Sequence, residues 1–156
     1  MSPSISTLGE RELIARLQRR VSPPPAHVRI GIGDDAAVIA PARNMDDVVT
    51  TDSLVEGVHF RRDWSTAESI GHKALAVNLS DLAAMGATPA WALLALTLPE
   101  ADCDFVARFA DGFAALAGQH HVALVGGDTT RGALAVTVTV LGLLPPGQAV
   151  LRSGAR

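Results

Sequence analysis

The feature that most constrains this fold is a helix whose two ends are both marked in the sequence, "STAESIGHKALAVNLSDLAAMG". Ser65 and Glu68 match a capping box, in which Ser65 is the N-cap residue and the glutamate follows three positions later. Gly86 is a typical residue just beyond a helix C-terminus. The centre of the segment is apolar on most sides, which predicts a helix packed beneath other elements. The chain must therefore supply further layers around it.

Strands are predicted on both sides of this helix. The stretch "ALAVTVTVLGLL" alternates valine with threonine, which indicates a long strand with two unlike faces. The run "PAWALLALTLP" predicts a buried strand bounded by prolines. Shorter strands are predicted at 36–40, 48–55 and 121–127, and a second helix at 102–118. The order β-β-α-β-α-β-β predicts an α+β fold, with two helices on one face of a mixed four- to five-stranded sheet.

The first 25 residues form a separate part of the sequence. Apolar residues recur on one helical stripe between Leu8 and Arg20, which predicts an N-terminal helix. The segment "VSPPPA" follows, and three consecutive prolines cannot continue a helix. We therefore expect an N-terminal helix and proline-rich linker over 1–25 and one domain over 26–156.

Composition excludes several classes of function. The net charge of −3 argues against nucleic acid or an anionic membrane as the main partner. The single cysteine, Cys103, cannot form an internal disulfide, and the apolar run Ala90–Leu98 is too short to span a bilayer. These features predict a cytoplasmic protein. The only lysine is Lys73 and no G-x-x-x-x-G-K-[ST] run exists, so a P-loop phosphate site is excluded.

Aspartates carry the strongest chemical signal. Of the 16 acidic residues 11 are aspartates, and four acidic sites lie at element edges or interrupt apolar elements: Asp34–Asp35, Asp52, Asp81 and Asp128. An ionised carboxylate at Asp81, inside an apolar helix, costs several kcal/mol unless it is paired or bound to a metal. Several carboxylates from distant segments are what a multi-magnesium nucleotide site requires.

Each of these motifs also has a structural interpretation. Asp81 could lie on a polar stripe that reaches solvent, or it could pair with Lys73. If Asp81 does bind a ligand, Asn78, three residues earlier on roughly the same face, could hydrogen-bond to the same ligand. The segment "GGDTTRG" permits close backbone approach to a phosphate, but it is also an ordinary turn composition. Thr50 and Asp52 point to one side of a strand and Thr51 to the other, which a hairpin explains about as well.

Two further residues carry the same ambiguity. His59 lies beside Phe60, and a lone histidine of this kind is more often structural than ligand-binding. Arg152 could clamp a phosphate, but an exposed arginine near a terminus needs no such explanation.

Six segments together resemble one enzyme family, the thiamine-monophosphate kinases. They occur in the family's order and at its distances: "GIGDDAAVI", "TTDSLVEGVHF", "KALAVNLSDLAAMGATPAW", "LALTLP", "GGDTTRG" and "LRSGA". The opening "GERELIARL" also resembles that family's N-terminal helix. The resemblance implies transfer of the γ-phosphoryl of ATP to thiamine monophosphate, giving thiamine diphosphate. It also implies the superfamily of aminoimidazole ribonucleotide synthetase, which binds ATP without a P-loop.

The same resemblance assigns roles to individual residues. Residues that resemble ligands of several Mg²⁺ ions are Asp35, Thr50, Thr51, Asp52, Asp81 and Asp128. Gly127 and Asp128 resemble an ATP-contacting turn, Arg152 an arginine near the nucleotide phosphates, and His59 a residue that contacts thiamine monophosphate. A phosphate acceptor is already ionised, so no residue is expected to act as general acid or base.

The resemblance also implies what surrounds this domain. The family's chain is about twice as long, so 26–156 matches its N-terminal ATP- and Mg²⁺-binding domain without the C-terminal domain. In the family this domain pairs through its sheet with that of a second subunit, which implies a homodimer. Two alternatives remain: another enzyme of the superfamily, or a dimeric domain that binds Mg²⁺ and nucleotide without turnover.

Overall fold

A computed structural model describes residues 10–32, 36–40, 44–100 and 102–154 of the chain. Its helices are α1 (Glu10–Gln18), α2 (Ala67–Met85) and α3 (Cys103–Gln119), followed by a 3₁₀ turn at Arg152–Gly154. Its strands are β1 (Val28–Ile30), β2 (Val38–Ile39), β3 (Asp46–Val55), β4 (Thr88–Leu98), β5 (Ala123–Arg131) and β6 (Ala135–Leu144). In this part of the chain, no helix combines the length and hydropathy needed to cross a membrane.

The main sheet has four strands in the order β3-β6-β4-β5. β6 is antiparallel to both β3 and β4, whereas β4 and β5 are parallel. The predicted α+β fold with a mixed sheet is therefore confirmed. β1 was not predicted, because three residues are too few to show a period; it pairs with β2 in a separate two-stranded sheet.

Helix α2 begins one residue later than its sequence predicts. Thr66, not Ser65, is the N-cap, and its side chain accepts a hydrogen bond from the Ser69 N–H at 3.2 Å. Glu68 does not complete a capping box. Its carboxylate instead accepts hydrogen bonds from the Arg108 guanidinium on α3. The C-terminus is as predicted: Gly86 has φ 76°, the left-handed conformation that glycine adopts without strain.

The two long helices pack closely against each other because each has a glycine at the crossing. A Cβ atom on Gly71 would overlap the carbonyl oxygen of Phe109, and one on Gly112 would overlap that of Glu68. The backbones could not approach as far if either residue had a side chain. This contact holds α2 and α3 as one layer over the sheet.

The two faces of the sheet differ sharply. On the face under the helices, Val136, Val138 and Val140 of β6 are fully buried. On the other face, Thr137 and Thr139 make hydroxyl–hydroxyl hydrogen bonds with Ser53 and Thr51 at 2.7 and 2.9 Å. Among the described residues, one end of this second face is covered, by a small cluster of buried residues: Val28, Trp91, Ala123 and Val125. We call the helix side the covered face and the other side the open face.

Candidate functional site

A threonine of β3 and an aspartate of α2 meet at one edge of the sheet. The Thr50 hydroxyl donates a hydrogen bond to Asp81 Oδ2 at 2.8 Å. Thr50 pairs in register with Val140 of β6, so its side chain lies on the covered face, towards the helix. The structure therefore brings together two residues that are 31 positions apart in the sequence.

Asp52 adds a second carboxylate to this edge. It pairs in register with Val138, two positions along β3 from Thr50, and therefore shares its face. Two residues along a strand correspond to roughly 7 Å. We call Thr50, Asp52 and Asp81 the β3–α2 site. It presents two carboxylates and a hydroxyl, which are the hard oxygen donors that Mg²⁺ prefers.

Asp81 is exposed, which corrects the expectation that it lies in an apolar setting. The polar residue that α2 does bury completely is Asn78, three positions earlier. Its Nδ2 donates to the Ala74 carbonyl at 3.1 Å, while its Oδ1 has no hydrogen-bond partner among the described residues. The reason is helical geometry, since most of the α2 surface is buried. In its third and fourth turns, however, a stripe of the helix at the sheet edge stays exposed, and Asp81 lies on that stripe.

The carboxylates of this site are not neutralised by nearby cations. Within the described residues, Asp52 and Asp81 make no salt bridge, and neither do some other acidic side chains, such as Glu100. The acidic side chains that are paired with arginines are Glu12, Glu56, Asp63, Glu68, Asp104 and Asp111. The second structural interpretation of Asp81, an ion pair with Lys73, is wrong, because the Lys73 ammonium donates elsewhere. Uncompensated carboxylates beside a hydroxyl fit a divalent cation better than they fit a structural salt-bridge network.

Asp128 lies far from this site within one chain. It is on β5, and β5 and β3 are the two opposite edges of the sheet, so the strands are roughly 14 Å apart. Asp128 also pairs with Ala95, which places its side chain on the open face. Accordingly, no group of three His, Cys, Asp or Glu residues forms a metal cluster in the described part of the chain.

The "GGDTTRG" segment is part of a strand and not a turn, contrary to one of its interpretations. β5 continues through it to Arg131. A Cβ atom on Gly127 would overlap the Leu94 carbonyl oxygen of the neighbouring strand. The glycine is therefore required by the close approach of β4 to β5, whatever else it contacts.

His59 is exposed and held by its own backbone turn. Its Nδ1 accepts a hydrogen bond from the Val55 N–H at 3.1 Å. In the neutral imidazole the proton is therefore on Nε2, which points away from that bond. His59 thus has a structural hydrogen bond and, at the same time, a free donor on its exposed edge.

The remaining site candidates divide into three cases. Thr51 lies on the open face, where its hydroxyl donates to the Val138 carbonyl at 3.2 Å, so its side chain does not join the β3–α2 site. Arg152 is exposed and follows Val150, whose N–H donates to the Met85 carbonyl at 3.0 Å. That bond brings the arginine segment to the end of α2 that carries Asp81. Asp35 lies outside the described residues.

Lys73 was named from the sequence but with the wrong partner, Asp81. Lys73 Nζ donates to the His59 carbonyl at 2.6 Å and so connects α2 to the turn after β3. The available signal was that this is the only lysine of the chain. Its partner could not be anticipated, because the two residues meet only once the helix has folded back along β3.

Comparisons with known proteins agree with this architecture. The model of the family "AIR synthase related protein, N-terminal domain" matches residues 33–144. A thiamine-monophosphate kinase from Salmonella typhimurium is 49% identical over 148 residues, and one from Escherichia coli strain K12 is 47% identical. Each alignment covers 95% of this chain and 45% of the relative, so the chain spans about half the length of these proteins.

Solved structures show the same relationship. A thiamine-monophosphate kinase from Stenotrophomonas maltophilia K279a matches with a TM-score of 0.80 and 54% identity, over 91% of this chain and 44% of that one. A structure described as AaThiL complexed with AMPPCP and TMP matches with a TM-score of 0.68 and 33% identity, over 100% of this chain and 48% of that one. The match to the family model covers all four strands of the mixed sheet and both long helices. The chain belongs to the family of AIR synthase related proteins, of which it carries the N-terminal domain.

Proposed function

We propose that this chain is the nucleotide- and metal-binding part of a thiamine-monophosphate kinase, which transfers the γ-phosphoryl of ATP to thiamine monophosphate. Relatives with this name include one that is 49% identical over 148 residues and a solved structure that is 54% identical. A related structure contains AMPPCP and TMP by its description. The observation that carries the proposal is the β3–α2 site. There the Thr50 hydroxyl bonds to Asp81, Asp52 lies two positions along β3 on the same face, and neither aspartate has a salt bridge to a described residue.

In this proposal Thr50, Asp52 and Asp81 hold Mg²⁺ at the β3–α2 site. Asp35, which lies outside the described residues, Thr51 on the open face and Asp128 on the opposite edge are proposed as further ligands of the several Mg²⁺ ions, outside this site. Bound Mg²⁺ would neutralise charge on the donor and acceptor phosphates, which otherwise repel each other. The protein groups contribute position and fixed charge. No general base is proposed, because the acceptor phosphate of thiamine monophosphate is already ionised at neutral pH.

Nucleotide binding is proposed for Gly127, Asp128 and Arg152. The guanidinium of Arg152 offers several donors for phosphate oxygens, and its segment is attached to α2 through the Val150–Met85 hydrogen bond. Arg152 therefore approaches from the helix end beyond Asp81. His59 is proposed to contact thiamine monophosphate through its Nε2–H.

The position of Asp128 supports a homodimer. A single chain places Asp128 and Asp52 on opposite edges and opposite faces of the sheet. A second copy, pairing through the sheet, can bring one chain's β5 towards the other chain's β3. The edge strands β3 and β5 have ten and nine residues, which is enough unpaired backbone to direct such an association.

The division into parts follows from the same proposal. In it residues 26–156 form the ATP- and Mg²⁺-binding domain, 1–25 contribute a helix and a proline-rich linker, and the C-terminal domain that the family resemblance implies would complete the thiamine pocket. We propose a cytoplasmic location, where ATP and a reduced Cys103 are both available. The alternative function is binding of Mg²⁺ and nucleotide without turnover, which the separation of Asp128 from Asp52 favours for one isolated chain.

The decisive variant is Asp81→Asn. The amide keeps the size of the side chain but lowers its affinity for a divalent cation, so we expect Mg²⁺-dependent binding of an ATP analogue to fall by more than about tenfold. Titration calorimetry with and without Mg²⁺ measures this change. Since Asp81 is exposed, the unfolding temperature should stay nearly constant.

Asp104→Asn is the matched control, because Asp104 is also an exposed aspartate on a helix but lies on α3. It should leave nucleotide binding unchanged. Equal losses in the two variants, or no loss in Asp81→Asn, would contradict the metal assignment. Formation of thiamine diphosphate from ATP and thiamine monophosphate then separates a kinase from a domain that only binds nucleotide.

A further inference from the structure

The turn after β3 is closed by its own backbone and anchored by one aromatic residue. The Gly57 N–H donates to the Phe60 carbonyl at 2.8 Å, and the His59 N–H donates to the Val55 carbonyl at 2.9 Å. Phe60 is only 4% exposed and belongs to the main core. These contacts determine the path of the turn, but they do not attach its exposed side, which carries His59, to the rest of the molecule.

Lys73 supplies that attachment. In the described part of the chain, its bond to the His59 carbonyl is the one side-chain hydrogen bond from α2 to the turn at 56–60. The donor is charged and the distance is 2.6 Å, and charge-assisted hydrogen bonds are stronger than neutral ones. The next two residues of α2, Ala74 and Leu75, are buried in the core, so the lysine extends from a fixed part of the helix.

Lys73 has no carboxylate partner among the described residues. Seven salt bridges between described residues all use arginines, and none uses the only lysine. Instead its ammonium group donates to the backbone of the residue whose imidazole is exposed.

The result is that three of the four polar groups of His59 are already occupied. Its N–H donates to Val55, its carbonyl accepts from Lys73, and its Nδ1 accepts from the Val55 N–H. Only Nε2–H remains available. The Nδ1 bond orients the ring, and the two backbone bonds hold the residue that carries it. Such a donor is oriented before a ligand arrives, which lowers the entropy lost on binding.

We infer that Lys73 is a positioning residue for His59: its ammonium group holds the His59 carbonyl against α2, so that Nε2–H is directed at a phosphorylated ligand. The identity of that ligand as thiamine monophosphate rests on the proposed function. The attachment of the His59 carbonyl to Lys73, which we call the tether, rests only on the hydrogen bonds of His59 with Lys73 and Val55.

The experiment uses the whole chain with ¹⁵N-labelled histidine. The nitrogen chemical shifts of His59 report which ring nitrogen carries the proton. They are recorded for the wild type, Lys73→Met and Lys73→Arg, without ligand and with thiamine monophosphate. Calorimetry measures the affinity of each protein for thiamine monophosphate and, separately, for Mg²⁺ with a non-hydrolysable ATP analogue.

Arg20→Met is the matched control. Arg20 is also an exposed cation that donates to a backbone carbonyl, that of Ala107 at 3.2 Å, and it pairs with Asp111. These groups belong to the contact between the N-terminal segment and α3, far along the sequence from His59. The control therefore removes a comparable tether without touching the turn.

We expect the wild type to show a single Nε2–H tautomer and Lys73→Met a mixture of the two. Affinity for thiamine monophosphate should fall about tenfold in Lys73→Met, as for the loss of one oriented donor, while affinity for the nucleotide changes less than about twofold. Lys73→Arg should largely keep the wild-type tautomer of His59 and the wild-type affinity for thiamine monophosphate, since it keeps a charged donor. Arg20→Met should resemble the wild type.

Several results would overturn the inference. Lys73→Met with the wild-type tautomer and affinity would show that the tether does not orient His59, and an equal change in Arg20→Met would show a non-specific effect. If Lys73→Met loses its dispersed amide spectrum, Lys73→Gln, with a neutral donor, is measured instead and should show the same change to a smaller extent. One outcome would contradict only the proposed role of His59 in binding thiamine monophosphate. In it Lys73→Met changes the His59 tautomer, but thiamine monophosphate does not change the His59 nitrogen chemical shifts of the wild type.

Discussion

Neighbouring residues of β6 belong to two different environments, and the contrast separates what stabilises this protein from what it offers to ligands and partners. Val136, Val138 and Val140 are completely buried beneath α2 and α3. Thr137 and Thr139 are half-buried on the open face and bond to hydroxyls of β3. The covered face depends on apolar area and close packing, whereas the open face depends on weak polar pairs and remains accessible. The candidate site lies at the edge where these two faces meet.

The largest expected effect is at the helix crossing above the covered face. Gly71→Ala places a Cβ atom against the Phe109 carbonyl, and neither backbone can move far, so we expect a loss of about 3 kcal/mol in the free energy of unfolding. Denaturant unfolding followed by circular dichroism measures it. Gly118→Ala on α3 is the control: nothing lies within 4 Å of its added Cβ, so a gain of about 0.5 kcal/mol is expected. A tolerated Gly71→Ala would contradict the close crossing.

An intermediate effect compares adjacent positions of one strand. Val138→Ala removes two buried methyl groups and leaves a cavity, which should cost about 2 kcal/mol. Thr139→Val removes one hydroxyl pair on the open face and should cost less than about 1 kcal/mol, because Thr51 keeps its bond to the Val138 carbonyl. The same unfolding measurement applies to both. Equal losses at the two positions would mean that the open face is covered by another surface in solution.

The smallest expected effect is an exposed ion pair that joins the two helices. The Arg108 guanidinium donates two hydrogen bonds to the Glu68 carboxylate and lowers its pKa from 4.5 to about 2. Because the pKa is lower in the folded state, the pair contributes stability above pH 4.5 and loses it as the pH falls towards 2. Glu68→Gln should therefore lower the unfolding temperature slightly at pH 7 and have almost no effect near pH 2.

Glu100→Gln is the control for this titration, since Glu100 is exposed and makes no salt bridge with a described residue. The difference in unfolding temperature between Glu100→Gln and the wild type should not follow the titration of the Arg108–Glu68 pair. The difference in unfolding temperature between Glu68→Gln and the wild type could instead stay constant between pH 7 and pH 2. That result would show that the charge of the Glu68–Arg108 ion pair contributes nothing to stability.

Local pattern predicted a large part of this architecture. The alternation of β6, the C-terminus of α2 at Gly86 and the opposite directions of Thr50 and Thr51 were all inferred from neighbouring residues. Each depends on backbone periodicity or on one residue's conformational preference, which the chain encodes within a few positions. The N-cap was wrong by one residue because Ser65 and Thr66 are both good caps and only the folded entry path distinguishes them.

The arrangement of the candidate site depended on contacts between distant segments. The sequence by itself determined the two long helices, the presence and chain order of the four strands of the main sheet, and the set of aspartates, hydroxyls and glycines that carry the resemblance to a kinase family; it did not show β1. The tertiary structure decided that α2 exposes Asp81 beside Thr50 and buries Asn78, that "GGDTTRG" continues a strand, and that Lys73 reaches His59. The physical reason is range: periodicity is set by neighbouring residues, whereas strand order and the orientation of a helix against a sheet are set by the burial of the whole core.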